Sequence, residues 1–270
     1  MRKAFTLIEL LVVISIIALL VAILMPALNR ARQQATAAVC LGNQKALILA
    51  YLMYANDNED RLVGGYAHEE DPYAWVYPPM DENGVADSSR RDVTEQDRFR
   101  GVRAGKLYPY TNTVDVYHCP ADPRWRKGNK RFPPEPYYHM YRSYAIPDAL
   151  RAEARAKGAG NGDILKLSQI KPPTQMYIFV EDLYDGQASN CDSLGWSFDP
   201  SADYEWWDPV GLLHNNACTL SFADGHAEMH KWLDERTIRY FTDRSSIPSQ
   251  QSGNPDIKYM VRGYISNSRW

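Results

Sequence analysis

The sequence lacks an excess of charge of either sign, because 30 lysine and arginine residues stand against 33 aspartate and glutamate residues, for a net charge of −3. This balance excludes a protein whose whole surface is selected for nucleic acid or for an anionic membrane surface. The sequence also lacks G-x-S-x-G, H-E-x-x-H and C-x-x-C motifs, which mark common nucleophile, zinc-protease and dithiol sites. We therefore predict no catalytic activity, no cofactor and no metal site, and nucleic acid is not expected as a partner.

Charge is scarcest near the N-terminus, where residues 5–28 contain one charged side chain, that of Glu9. The apolar run from Phe5 to Met25 corresponds to about 31 Å of α-helix, enough to cross the hydrocarbon core of a bilayer. A secretory signal peptide has a shorter apolar region that ends at a small-x-small site, whereas Pro26 follows here. The run predicts a membrane-spanning helix, with a cleaved signal peptide and an ordinary single-span anchor as the alternatives.

Glu9 does not suit an ordinary anchor, because a carboxylate inside a lipid-facing helix costs about 2.5–3.5 kcal/mol. The free α-amino group of a neighbouring subunit would neutralise it if residues 1–4 were removed. The chain reads F-T-L-I-E-L over residues 5–10, directly after a short basic leader. This segment resembles the prepilin motif of the type IV pilin and pseudopilin class, with Ala4 where that class usually has Gly.

The resemblance implies that a prepilin peptidase cuts between Ala4 and Phe5, that the new terminus at Phe5 is methylated, and that Glu9 is the carboxylate used in assembly. It also implies partners: copies of the chain, other pilin-like subunits and an inner-membrane assembly platform. The expected location is the bacterial inner membrane, crossed once with the N-terminus in the cytoplasm. The head would be periplasmic, or extracellular after assembly.

The predicted fold class is α+β and pilin-like, with a long N-terminal helix packed on a mostly antiparallel β-sheet head with long loops. Pro26 predicts a kink, and beyond it apolar residues recur at steps of three and four. We divide the chain into a leader (1–4), a transmembrane helix (5–28), an amphipathic continuation of that helix (29–57) and a globular head (58–270).

Three segments of the head have recognisable patterns. Residues 61 to about 135 contain many prolines and aromatics and predict irregular structure with short strands, one of them at 117–122. Residues 174–181 are apolar on both faces and predict a central strand. Residues 184–210 predict a long loop.

The dipeptide Asp224-Gly225 predicts a hairpin within 214–232 that closes with a two-residue type I′ turn. This register places Phe222 opposite Ala227. The other face of the hairpin is then polar, and we interpret it as solvated rather than as a zinc site, because alternate strand residues lie roughly 7 Å apart. That face carries His226, Glu228 and His230.

His214, nine further residues and then Asp224-Gly225 also have the spacing of the H-x9-DG signature found in one bacterial pilin-like family. Other segments resemble that family in the same order, namely 40–45, 119–122, 142–145 and 173–175. We expect His214 to make a structural contact with the turn at Asp224, or to bind a ligand together with it.

The four cysteines are Cys40, Cys119, Cys191 and Cys218, and they allow three complete pairings in an oxidising compartment. We favour Cys40 with Cys119, which would tie the helix to the head. Cys191 and Cys218 would then lie near the C-terminal hairpin. The alternative is free buried thiols, above all at Cys218 on the apolar hairpin face.

The sequence thus predicts a pilin-like or pseudopilin structural subunit, processed by a prepilin peptidase and assembled into a periplasmic pseudopilus or a surface filament. Both type II secretion and type IV pilus type systems use such subunits. The alternative is a membrane-anchored extracytoplasmic binding module for polysaccharide or another ligand, which the acidic and aromatic segment 203–208 would suit.

Overall fold

The structure, a computed structural model, describes residues 7–87, 93–122, 142–147, 150, 164–182, 195–196, 205–206, 208–243 and 247–264. Five helices and four strands lie in these ranges. The helices are α1 (Leu7–Asp57), α2 (Glu95–Ala104), α3 (Tyr108–Thr111), α4 (Glu235–Thr242) and α5 (Pro255–Gly263), and the strands are β1 (Tyr144–Ala145), β2 (Tyr177–Glu181), β3 (Ala217–Phe222) and β4 (Ala227–Lys231). This is the α+β, pilin-like architecture expected from the sequence.

Helix α1 is one continuous element of 51 residues, and Pro26 lies inside it. Residues 7–35 are exposed to the surroundings, and burial begins near Ala37. The helix therefore has a projecting N-terminal part and a C-terminal part attached to the head. The kink at Pro26 stays a prediction.

The attached part of α1 buries one face, with the three- and four-residue spacing that a helix requires. Each large apolar side chain removed from water here contributes about 1.5–3 kcal/mol. Tyr51 packs edge-on against Phe179 of β2, with ring centroids 6.0 Å apart. The buried residues of α1 are Ala37, Cys40, Gln44, Leu47, Ile48, Ala50, Tyr51, Tyr54 and Ala55.

The four strands form one antiparallel sheet in the order β1, β2, β3, β4. All five residues of β2 and all six of β3 are buried, because helix α1 covers one face and a second apolar cluster covers the other. The predicted central strand at 174–181 is β2, which has neighbours on both edges. The second cluster is rich in tryptophan, with Trp196, Trp206 and Trp232 all buried.

The hairpin of β3 and β4 has the predicted tip but a different turn and register. The N–H of Phe222 donates to the carbonyl of His226 at 2.9 Å, and that of Gly225 donates to the carbonyl of Phe222 at 2.8 Å. The loop is thus 223–225, and within it only Gly225 has a positive φ, of 92°. That is a type I turn followed by a glycine bulge, whereas type I′ needs two positive φ values. The predicted pair of Phe222 with Ala227 is therefore wrong by one residue.

The hairpin face predicted to be solvated is partly covered by α5. The hydroxyl of Tyr259 donates to Glu228 at 2.6 Å, and the ring of His230 stacks on Tyr259 with centroids 3.7 Å apart. Helices α4 and α5 were not predicted from the sequence. Their N-caps, Asp234 and Asn254, accept backbone hydrogen bonds from the first turn of each helix, which is a standard helix start signal.

The segment after α1 is more helical than predicted. Helix α2 begins with a capping box, in which Thr94 and Asp97 each accept a backbone hydrogen bond from the other. The predicted strand at 117–122 is absent from these described residues, and a 3₁₀ turn spans Asp115–Tyr117 instead. Only part of the predicted loop at 184–210 lies within the described residues.

The turn geometry of the hairpin can be tested with two glycines. Gly225→Ala would place a Cβ at a φ of 92° and 3.0 Å from Cδ1 of Leu52, and we expect it to lower the free energy of unfolding by about 1–2 kcal/mol. Gly42→Ala is the control: its Cβ would meet no heavy atom within 4 Å, and alanine favours a helix interior by about 1 kcal/mol. Thermal unfolding of the full chain in detergent measures both. A Gly225→Ala protein as stable as the wild type would contradict the turn.

Candidate functional site

The projecting part of α1 is apolar on every side. Sixteen large apolar residues between Leu7 and Leu28 are exposed, each by 44% or more. The helix is long and apolar enough to cross a membrane. A surface of this kind is stable only in lipid or against other apolar helices, because its exposure to water forfeits the burial energy of each side chain.

Glu9 lies in the first turn of α1 and is exposed. It is the one acidic residue of this apolar part, and its position near the helix N-terminus favours a negative charge. The proposed processing residues Ala4 and Phe5 lie outside the described residues. The part of the predicted site that the structure describes is therefore Glu9 and the apolar surface that surrounds it.

Three consecutive polar residues of α1 attach it to the head. The side-chain amide of Gln44, which is fully buried, donates to the carbonyl of Thr219 in β3 at 2.9 Å. The amide of Asn43 donates to the carbonyl of His118 at 2.9 Å. The ammonium group of Lys45 donates to the carbonyl of Gly225 at the hairpin tip. These bonds fix the rotation of the helix relative to the sheet.

A disulfide joins Cys40 of α1 to Cys119 of the head across 79 residues of sequence. This is the pairing favoured from the sequence, and both cysteines are fully buried. Closure of so long a loop restricts the unfolded chain and so stabilises the fold. Cys218 is buried and free, which agrees with the alternative of a free buried thiol at that position. Cys191 lies outside the described residues.

His214 does not contact the turn at Asp224, so that expectation is wrong. Its Nε2 lies 3.1 Å from Oε1 of Glu181 and 3.5 Å from Sγ of Cys119. Asp224 instead accepts hydrogen bonds from the backbone and the ring of His226. Burial opposes ionisation of Asp224, but these bonds outweigh it and hold its pKa below the usual value.

Glu181 is the central acid of this cluster and is fully buried. Burial raises its pKa, while hydrogen bonds from His214 and from the backbone N–H of Thr219 oppose the shift. Glu181 was not predicted from the sequence as a site residue. The available signal was a carboxylate at the end of an otherwise apolar central strand, which is costly to bury unless it has partners.

A second candidate site is a groove of about 470 Å³ between the hairpin and α5. Its lining combines aromatic rings with charged groups, and the ring of Phe222 stacks on that of His226 with centroids 4.3 Å apart. The groove is lined by Thr174, Gln175, Tyr177, Phe222, His226, Glu228, Tyr259, Arg262 and Gly263. Aromatic faces beside polar groups suit a small polar ligand.

Comparison with known proteins places the N-terminus in a recognised class. Residues 1–25 match the family model of the prokaryotic N-terminal methylation motif. No curated protein matches the chain, and no solved structure matches it. The chain thus carries a prepilin-type N-terminal methylation motif, and its described residues have the α+β, pilin-like arrangement of a long apolar helix packed on an antiparallel sheet. The H-x9-DG assignment stays a prediction.

The buried carboxyl of Glu181 predicts a pH dependence of stability. Because its pKa is raised in the folded state, the folded protein holds this proton more tightly than the unfolded chain. The contribution of Glu181 to the free energy of unfolding is complete below the ordinary glutamate pKa of about 4.3. It is lost as the pH rises through the pKa that Glu181 has in the folded protein. Glu181→Gln removes this titration, so wild type should lose stability relative to the variant as the pH rises.

Thermal unfolding of the full chain in detergent from pH 4 to pH 8 measures this difference. The control is Glu59→Gln, at an exposed residue where α1 ends, and its difference from wild type should stay constant. A Glu181→Gln difference that is also constant over this range would show that burial of Glu181 does not set its titration.

Proposed function

We propose that this protein is a structural subunit of a pilus-like filament, cut by a prepilin peptidase between Ala4 and Phe5 and methylated at Phe5. The observation that carries the proposal is the methylation motif at residues 1–25 on a helix whose first part is apolar on all sides. An anchor alone would need the apolar length but would have no use for Glu9.

The first step of the proposed assembly is a charge pairing in lipid. After removal of the leader, the amino group of Phe5 of each subunit carries a positive charge within the apolar environment. Glu9 of a neighbour neutralises it. An unpaired carboxylate in lipid costs about 2.5–3.5 kcal/mol, so subunits in the correct register are favoured over those displaced along the helix axis.

The second step is the packing of apolar helices. The sixteen exposed apolar residues of α1 pass from lipid to contacts with the same part of other subunits. Lipid tails and leucine side chains are similarly apolar, so this association depends on van der Waals packing and on polar pairs more than on the hydrophobic effect. The Glu9 pairing therefore decides whether assembly occurs.

Assembly also requires a firm attachment between helix and head, so that the head moves with the helix and keeps a fixed orientation relative to it. The Cys40–Cys119 disulfide and the hydrogen bonds of residues 43–45 attach α1 to the head.

We propose a single-pass inner-membrane precursor with its N-terminus in the cytoplasm and its head outside. An assembly platform in the inner membrane would transfer it to a type II secretion pseudopilus or a type IV pilus type filament, and no chemical reaction forms part of the proposal.

Ligand binding by the head is the alternative, and it would use the groove beside α5. The groove contains polar and aromatic groups but no feature specific to a polysaccharide or to another ligand class. The methylation motif, in contrast, is specific to prepilin-type proteins. We therefore rank assembly first.

The charge of Glu9 tests the assembly proposal. Glu9→Gln preserves the shape of the side chain and removes its charge, and Glu9→Val removes its polarity as well. We expect both variants to insert into the membrane but to form no filaments or cross-linked multimers, because the neighbour's amino terminus loses its partner. Membrane fractionation, chemical cross-linking and electron microscopy of the sheared fraction measure these outcomes in the native host.

The matched control is Glu59→Gln, which removes an exposed carboxylate at the far end of α1 and should leave assembly unchanged. Normal multimers from Glu9→Gln would contradict the pairing. Loss of the variants from the membrane fraction would also contradict it, because Glu9 would then be needed for insertion.

A further inference from the structure

Four side chains of metal-ligating type meet in the interior where α1 joins the head. They are Cys40 of α1, Cys119, Glu181 at the end of β2, and His214 shortly before β3, and all four are buried. One ligand atom from each lies within 4.8 Å of the others. Because the four come from segments far apart in sequence, no spacing motif reveals them, and the sequence analysis predicted no metal site.

Two separations between these atoms are close to the edges of a zinc tetrahedron. Bond lengths of about 2.3 Å to sulfur and 2.0–2.1 Å to nitrogen and oxygen give edges of about 3.5 Å between S and N and about 3.3 Å between N and O. The structure has 3.5 Å from Sγ of Cys119 to Nε2 of His214 and 3.1 Å from that nitrogen to Oε1 of Glu181. The other separations lie within 4.8 Å, and the two sulfur atoms, which are bonded to each other, are too close to bind one ion together.

The second carboxylate oxygen of Glu181 has a different partner. Its Oε2 accepts the backbone N–H of Thr219 at 3.1 Å, which orients the carboxyl group and leaves Oε1 directed toward His214. A metal-binding carboxylate held by an outer hydrogen bond is the usual arrangement. The Cα atoms of Cys40 and Cys119 are 5.3 Å apart, so side-chain rotation can separate the sulfurs once the bond between them is broken.

We propose that, in the reduced protein, Cys40, Cys119, His214 and Glu181 bind one zinc-type divalent cation, and that this metal and the disulfide are mutually exclusive ways of attaching α1 to the head. Two thiolates, an imidazole and a carboxylate form a soft to borderline donor set, which favours Zn²⁺ over Mg²⁺ or Ca²⁺. The two thiolates balance the charge of the cation, and the Glu181 carboxylate adds one negative charge to the site.

The two forms interconvert by reduction and oxidation of Cys40 and Cys119. A dithiol reductant transfers two electrons to the disulfide and is itself oxidised to a disulfide, while Cys40 and Cys119 become thiols. The cation then displaces one proton from each thiol, and also the proton of Glu181 when that carboxyl group is protonated, and these protons are released to solvent. Oxidation reverses the sequence: a disulfide oxidant accepts two electrons and two protons and becomes a dithiol, the bond between Cys40 and Cys119 forms, and the metal loses two of its four ligands.

Cobalt titration of the full chain in detergent tests the proposal. The disulfide is reduced with a phosphine, which is not a thiol ligand, and Co²⁺ is added without oxygen. We expect one Co²⁺ per chain, a thiolate-to-cobalt charge-transfer band and the intense visible bands of tetrahedral cobalt, all abolished by Zn²⁺. The oxidised protein should show none of these. Absence of the thiolate band in reduced protein, or its presence in oxidised protein, would overturn the proposal.

Variants assign the ligands. His214→Asn and Glu181→Gln should each weaken cobalt binding by about tenfold or more. The control is the double variant Cys191→Ser with Cys218→Ser, which removes the thiols outside the cluster and should leave the spectrum unchanged. Loss of the band in this control would move the site away from the cluster and contradict the proposal.

A second measurement covers the case in which a variant fails to fold. Zn²⁺ that binds the folded state raises its stability by mass action, so the melting temperature of reduced wild type should rise with Zn²⁺ concentration, while that of oxidised wild type should not. Equal responses in the two redox states would overturn the proposal.

Discussion

The structure depends on one constraint, which is that a single continuous helix must satisfy two different environments. Residues 7–35 of α1 are exposed and almost wholly apolar up to Leu28, whereas from Ala37 one face of the same helix is buried in the head. Within the described residues the projecting surface has no apolar cover. This part of the helix favours lipid or other apolar helices, whereas the amphipathic part packs on the sheet.

Three kinds of interaction attach the helix to the head. Apolar side chains of α1 pack in the same cluster as residues of β2, the buried amide of Gln44 fixes the rotation of the helix, and the Cys40–Cys119 bond fixes its position along the axis. Glu181 and His214 lie beside that bond. A subunit that transmits force from a membrane helix to an external head needs a joint of this kind.

The sequence was sufficient for features that depend on local pattern. The length of α1, the central strand β2 and the position of the hairpin all follow from apolar periodicity and turn residues. The hairpin register did not follow, because an Asp-Gly pair serves both a two-residue turn and a three-residue turn with a glycine bulge, and a one-residue difference moves every cross-strand pair. The contact of His214 with Glu181 was missed for another reason, since tertiary packing alone brings together residues 33 positions apart.

The central claim is that the protein is a processed, pilin-like subunit, and the most direct test is the N-terminal mass of the protein extracted from membranes of its native host. The account predicts a chain that begins at Phe5 and carries one methyl group on its amino terminus. That result would establish that Ala4 serves in place of the usual glycine. A chain that begins at Met1, or that has lost the whole apolar helix, would contradict the account and leave an ordinary anchor or a secreted head.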